Sequence, residues 1–193
     1  RTVFGGGQDG KVYGNTNVHV TSGTIGAETF NGSLYGGVYG GGEGAEANVF
    51  GTANVNMTAG DVVNNIYGGG KMAALQGNTN VQISGGTVSG SVFGGACMAD
   101  IQGRTYVWIK GVNALNIGAV YGGNDISGNI SSNASVVTNP YSIPVQSISN
   151  GENWKNWNAF VRVTKGAGEV KIGSLYGGGN GDYTYTAQDG KFN

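Results

Sequence analysis

The side chains able to do chemistry are few and far apart. His19 is the only histidine and Cys97 the only cysteine. A nucleophile–base pair needs both partners within hydrogen-bond reach, and nothing in the sequence pattern supplies His19 with an acid. One cysteine closes no disulfide within the chain, and CxxC metal motifs are absent. Such a cysteine usually behaves as a small inert hydrophobe. The 11 Asp and Glu are scattered. Cleaving a polysaccharide takes converging carboxylates, or a calcium cluster facing a basic residue. Glu43 and Glu46 could offer calcium two carboxylates, but calcium takes six to eight oxygens, and Lys71 falls beside Glu43 on the adjacent unit, where the two predict a surface ion pair. These residues support no catalytic role, no metal site and no cofactor.

Aromatic residues are the remaining candidates for ligand binding. Trp154 and Trp157 stand in the stretch NGENWKNWNAF. Tyr106, Trp108 and Phe160 occupy positions where a strand's outward side should be polar. Aromatic faces stack on sugar rings as on other apolar faces, so these five residues are the candidate glycan contact. The competing expectation is structural: the long insertion at 129–157 folds back over this face and packs Trp154 and Trp157 there as a satellite core.

What must position these residues is a repeat. An aliphatic–aromatic–Gly phrase places its aromatic at Phe4, Tyr39, Tyr67, Phe93, Tyr121 and Tyr176, with spacings of 35, 28, 26, 28 and 55. The unit is therefore 26 to 28 residues; the first unit carries about 8 extra and the fifth about 28. A second phrase, aliphatic–x–Gly, begins at Val12, Val49, Leu75 and Ile101. A third alternates at period two, which marks a strand. Its inward columns are Thr16, Ala53, Thr79, Thr105, Ala159; then Val18, Val55, Val81, Val107, Val161; then Val20, Met57, Ile83, Ile109, Val163. A further aliphatic, at Ile25, Val62, Val88, Leu115 or Val170, leads back to the next phrase. Alternation places the aromatic column outside. The outward columns of the third phrase begin Asn17, Asn54, Asn80 and His19, Asn56, Gln82, which predicts amide ladders.

Strands of about five residues bury nothing alone. Stacking equivalent strands of successive units buries the aliphatic columns continuously. Three short strands per unit joined by Gly corners predict an all-β fold: a right-handed parallel β-helix of about six coils, forming one segment over 1–193. The repeat is already running at Val3, so a longer parent chain is expected. The VYGGG phrase lacks the Gly-Lys-Ser/Thr and the helix of a phosphate loop.

Composition narrows the function. Charged residues are 11%, against roughly 25% in ordinary domains. A net charge of −1 gives no electrostatic support to a nucleic-acid partner. No apolar run reaches the 18 or so residues of a membrane helix.

The phrases VYGGG (38–42), GNTNVQISGGTV (77–88) and VFGG (92–95) resemble the Gly- and Asn-rich repeats of large adhesin-like surface proteins of gut Bacteroidetes-type bacteria. That resemblance implies a parallel β-helix in a secreted or surface-attached protein with a structural or adhesive role. It brings no catalytic residues. The expected partners are a glycan or another host or cell-surface component, and further copies through end-to-end association. The alternative expectation is a carbohydrate-binding or polysaccharide-cleaving, lyase-like module.

Overall fold

The computed structural model describes residues 2–30, 33–131 and 159–181. Among these the chain is all-β, with no helix, so no helix is long and apolar enough to cross a membrane. Most strands fall into two parallel sheets.

The first sheet is built from the third phrase: β2 (Thr16–Val20), β7 (Ala53–Met57), β10 (Thr79–Ile83), β12 (Thr105–Lys110) and β14 (Ala159–Thr164), in that spatial order. Every pairing is parallel and in register, so Val18, Val55, Val81, Val107 and Val161 lie one upon the next. Of these, Val55, Val81 and Val107 are fully buried. The predicted inward columns are all present in this order.

The second sheet carries the aromatic phrase. Its path is β1 (Thr2–Phe4), β6 (Gly37–Tyr39), β9 (Asn65–Tyr67), β11 (Gly86–Phe93), β13 (Leu115–Tyr121) and β15 (Val170–Tyr176), again parallel. Two short strands, β3 (Thr24–Ile25) and β8 (Asp61–Val62), pair with each other, and β8 pairs with β11. Here the sequence alignment needs correction. Val88 pairs with Ile117, and Ile117 with Ile172, whereas Leu115 and Val170 line up with Gly86. The true column is Ile25, Val62, Val88, Ile117, Ile172. A slip of two residues leaves the inward face apolar, so the pattern alone could not detect it.

The second phrase forms no strand, only single parallel bridges: Val12 to Val49, Val49 to Leu75, Leu75 to Ile101, and Ile101 to Ile130. Val49, Leu75 and Ile101 are fully buried in a small cluster with Ala96. Ile130, inside the 129–157 insertion, therefore still belongs to the repeating column.

The extra residues of the first unit become an antiparallel hairpin, β4 (Ala27–Phe30) with β5 (Ser33–Tyr35). Gly26 and Gly36 flank it at φ 101° and 97°. Only glycine takes that region without strain, so these two residues let the chain leave the parallel array and rejoin it.

Side chains tie the two sheets together. The hydroxyls of Thr16, Thr79 and Thr105 donate to the carbonyls of Gly40, Gly94 and Gly122. Corner asparagines accept backbone N–H groups from the next unit: Asn15 from Thr52 at 2.8 Å, Asn78 from Arg104 at 2.8 Å and Asn65 from Ser91 at 2.8 Å. These donors sit where the strand pairing stops and would otherwise go unsatisfied.

Candidate functional site

Two surfaces hold the polar and aromatic groups that a ligand could meet. One is the outward side of the first sheet; the other is the edge of the aromatic ladder.

On the first sheet the outward side changes character along its length. Asn54 Nδ2 donates to Asn17 Oδ1 at 3.1 Å, and Asn80 Nδ2 to Asn54 Oδ1 at 3.4 Å. This is the predicted amide ladder. His19 continues the neighbouring column opposite Asn56 and is exposed. At β12 the ladder gives way to Tyr106 and Trp108, paired in register with Phe160 and Arg162 of β14. All four are partly buried. The Tyr106 and Phe160 rings stack with centroids 5.4 Å apart and planes 12° from parallel. Their faces are turned to each other, because parallel strands in register place like side chains directly above like. Trp108 is tilted 55° from Tyr106, its centroid 6.4 Å away, and its indole N–H donates to Thr164 Oγ1 at 3.0 Å.

The structure thus brings Tyr106, Trp108 and Phe160 together. Trp154 and Trp157 lie outside the described residues, as does most of the insertion expected to cover this face.

Two cations that the aromatic pattern did not single out complete the patch. Lys110 Nζ lies 3.8 Å from the Trp108 ring centroid, and the Arg162 guanidinium carbon 4.8 Å from it. Both distances fit cation–π contact. Lys110 also donates to Gln82 Oε1 at 2.7 Å. Burial lowers its pKa, and the charge of Arg162 lowers it further. Neither cation takes part in an ion pair among the described residues, whose ion pairs are Lys71–Glu43 and Lys171–Glu169. The Tyr106 hydroxyl and Arg162 Nη1 are both buried and lie beside each other. Burial raises the pKa of that phenol, and the nearby guanidinium partly offsets the rise. The strand alternation contained the register of Trp108 with Arg162; a search for positive charge beside each outward aromatic would have found it.

The aromatic ladder behaves differently. Phe4, Tyr39, Tyr67, Phe93, Tyr121 and Tyr176 stack in sequence with centroids 4.6 to 5.1 Å apart and planes 8 to 15° from parallel. The expectation that the column lies outside is corrected in its middle: Tyr67 is 4% and Phe93 1% exposed. The loops that follow the double glycine fold over the rings, so Cys97 and Ile126 pack against them. Alternation sets which side of the sheet a residue takes, not whether that side stays wet.

Under this cover lies a polar network. Tyr67 donates its hydroxyl to Asp125 Oδ2 at 2.8 Å and accepts from Asn65 Nδ2 at 2.8 Å. Asn180 Nδ2 donates to Asp125 Oδ1 at 2.9 Å. Burial pushes the Tyr39, Tyr67 and Cys97 pKa values upward, which disfavours the thiolate form of Cys97. Beside the ladder runs a groove of about 570 Å³ lined by Phe4, Tyr39, Asn64, Asn65, Glu43 and Lys71 among others. Its one charge pair, Lys71 Nζ to Glu43 Oε1 at 3.2 Å, is the predicted contact between adjacent units. Among the described residues no three His, Cys, Asp or Glu side chains gather where they could hold a metal.

Comparison with protein-family models, with curated proteins and with solved structures gave no match to this chain.

Proposed function

We propose that the chain is a right-handed parallel β-helix of about six coils that serves as a structural and adhesive segment of a secreted or surface-attached bacterial repeat protein. The observation that carries this reading is the unbroken in-register column Val18–Val55–Val81–Val107–Val161, repeated on the second sheet and by the bridges of the second phrase. A chain that returns to the same place every 26 to 28 residues makes a stiff rod whose outer surface varies freely while its interior does not. The hand is the one taken by parallel crossovers. The last described strands leave Val163, Leu175 and Tyr176 about half exposed; a further coil, from a longer chain or a second copy stacked end to end, would cover them.

A test of the architecture is to duplicate residues 68–93 in tandem. The variant should keep one cooperative unfolding transition and lengthen by about 4.8 Å, one strand spacing, in small-angle scattering. Loss of folding or an unchanged length would sink the rod. Adhesion is tested by retention of the labelled chain on immobilised polysaccharides and epithelial surfaces; a chain that washes off all of them is not an adhesive segment.

The second reading, a carbohydrate-binding or polysaccharide-cleaving module, draws on the groove beside the ladder and on the patch around Trp108. Release of new reducing ends or of unsaturated sugar products from the same polysaccharides would favour cleavage over adhesion.

A further inference from the structure

The patch around Trp108 has a chemistry that adhesion in general does not require. Two cations, Lys110 and Arg162, converge on one indole at 3.8 and 4.8 Å in a chain whose net charge is −1. Neither has a carboxylate partner among the described residues. Like charges this close repel, and partial burial weakens the screening that water would supply. The Tyr106 hydroxyl lies beside the Arg162 guanidinium, so the patch joins a phenol to the two cations. Ring stacking is a poor explanation for the patch, since Tyr106 and Phe160 already spend their faces on each other. Alongside, on the same face, lie the amides Asn80 and Gln82, with Gln82 already bonded to Lys110. Amides pair with hydroxyl groups as donors and acceptors at once.

We propose that Lys110, Arg162 and Trp108 form a site for the acidic group of an anionic polysaccharide, with the guanidinium and ammonium holding the carboxylate or sulfate and the adjoining amide column holding ring hydroxyls. This rests on the glycan-contact reading above and names the class of glycan. Anion binding satisfies both cations at once and removes their mutual repulsion; a planar guanidinium is suited to a two-oxygen acceptor. Two cations bordered by neutral amides, rather than an extended basic stripe, suit a hydroxyl-rich polyanion better than a nucleic acid.

The test is binding of the whole chain to polygalacturonate and to its carboxyl-reduced neutral form, to dextran sulfate and to dextran, and to poly(U), at low and high salt. We expect binding to polygalacturonate or dextran sulfate that weakens with salt and is absent for the neutral partner; the two anionic arms tell carboxylate from sulfate. Lys110→Gln and Arg162→Gln should each weaken it roughly tenfold, the weight of one hydrogen bond to a charged group. Both change partly exposed side chains, and their thermal transitions show that the fold is kept. Equal binding of a neutral polysaccharide overturns the acidic site and leaves the glycan reading standing. Binding of no polysaccharide overturns both. Binding to poly(U) at equal strength, or anion binding unchanged in both variants, overturns the site as well.

Discussion

The first sheet presents two different outer surfaces over one interior. Across β2, β7 and β10 the outward column Asn17, Asn54, Asn80 is a run of amides bonded strand to strand. Across β12 and β14 they are stacked aromatics and two cations without ion-pair partners among the described residues. Beneath both, the same aliphatic column runs without a break. Interior packing and outer-surface chemistry are thus separable here. The inward columns and backbone pairing hold the array, so the outward positions are free to change from one unit to the next. The second sheet marks the limit of this freedom: in the middle of its aromatic ladder Tyr67 and Phe93 are covered by loops and belong to the core.

The comparison breaks first at the shared interior. Val81→Asp and Val107→Asp would each bury a carboxylate at a fully buried site, at several kcal/mol per ion against a total stability of about 5–15 kcal/mol. Both variants should lose the cooperative urea transition. If one half tolerates the change, the two halves do not share a core.

Phe93→Ala should cost about 3–5 kcal/mol, the usual loss for truncating a buried aromatic, read from the urea midpoint. A loss under about 1 kcal/mol, the scale of an exposed position, would return the ladder to the surface and make it resemble the Trp108 patch.

Tyr67→Phe should cost less, about 1.5–3 kcal/mol, for one hydrogen bond to the Asp125 carboxylate. It also changes the alkaline limb. Burial raises the Cys97 and Tyr67 pKa values above their ordinary 9.0 and 10.0, so above these values the unfolded chain sheds protons that the folded chain keeps. Stability is therefore present in full below about pH 9 and falls as pH rises. Without the Tyr67 hydroxyl the fall above pH 10 should be shallower; an unchanged slope would mean that Tyr67 does not contribute.

The smallest effects separate the two outer surfaces. Asn54→Ala should cost about 1 kcal/mol by breaking the ladder on both sides. Arg162→Gln should cost about 0.5–1 kcal/mol, the weight of one cation–π contact, while raising the Lys110 pKa in an NMR titration. If Arg162→Gln destabilised the chain more than Asn54→Ala, the cation patch would be part of the scaffold rather than a place for a ligand.

Much of the array was legible in the residues. Alternation at Thr79–Ile83 and Thr105–Lys110, with spacing near 26, specified strand, parallel stacking and register together, because a one-residue slip would turn valines outward. The Lys71–Glu43 contact followed from the same spacing. A two-residue slip, as at Leu115 against Ile117, keeps the valines inward and so escaped notice. The corner roles of Asn15, Asn65 and Asn78 were missed because their partners are backbone groups of another unit. The GNT spelling at Gly14–Thr16 and Gly77–Thr79 was the signal for Asn15 and Asn78. The pairing of Lys110 and Arg162 over one indole is hidden for a related reason: a net charge near zero over the whole chain conceals two cations gathered at one place.

By itself the sequence determined what repeats: apolar positions recurring at period two within a strand and near 26 between strands, which admit few arrangements that bury them. Tertiary structure decided what the repeats leave open. It covered Tyr67 and Phe93, brought Cys97 and Asp125 from two different corner loops onto Tyr67, and set two cations on Trp108. Those outcomes depend on how loops and side chains from different units meet in space, and short-range periodicity carries no information about such meetings.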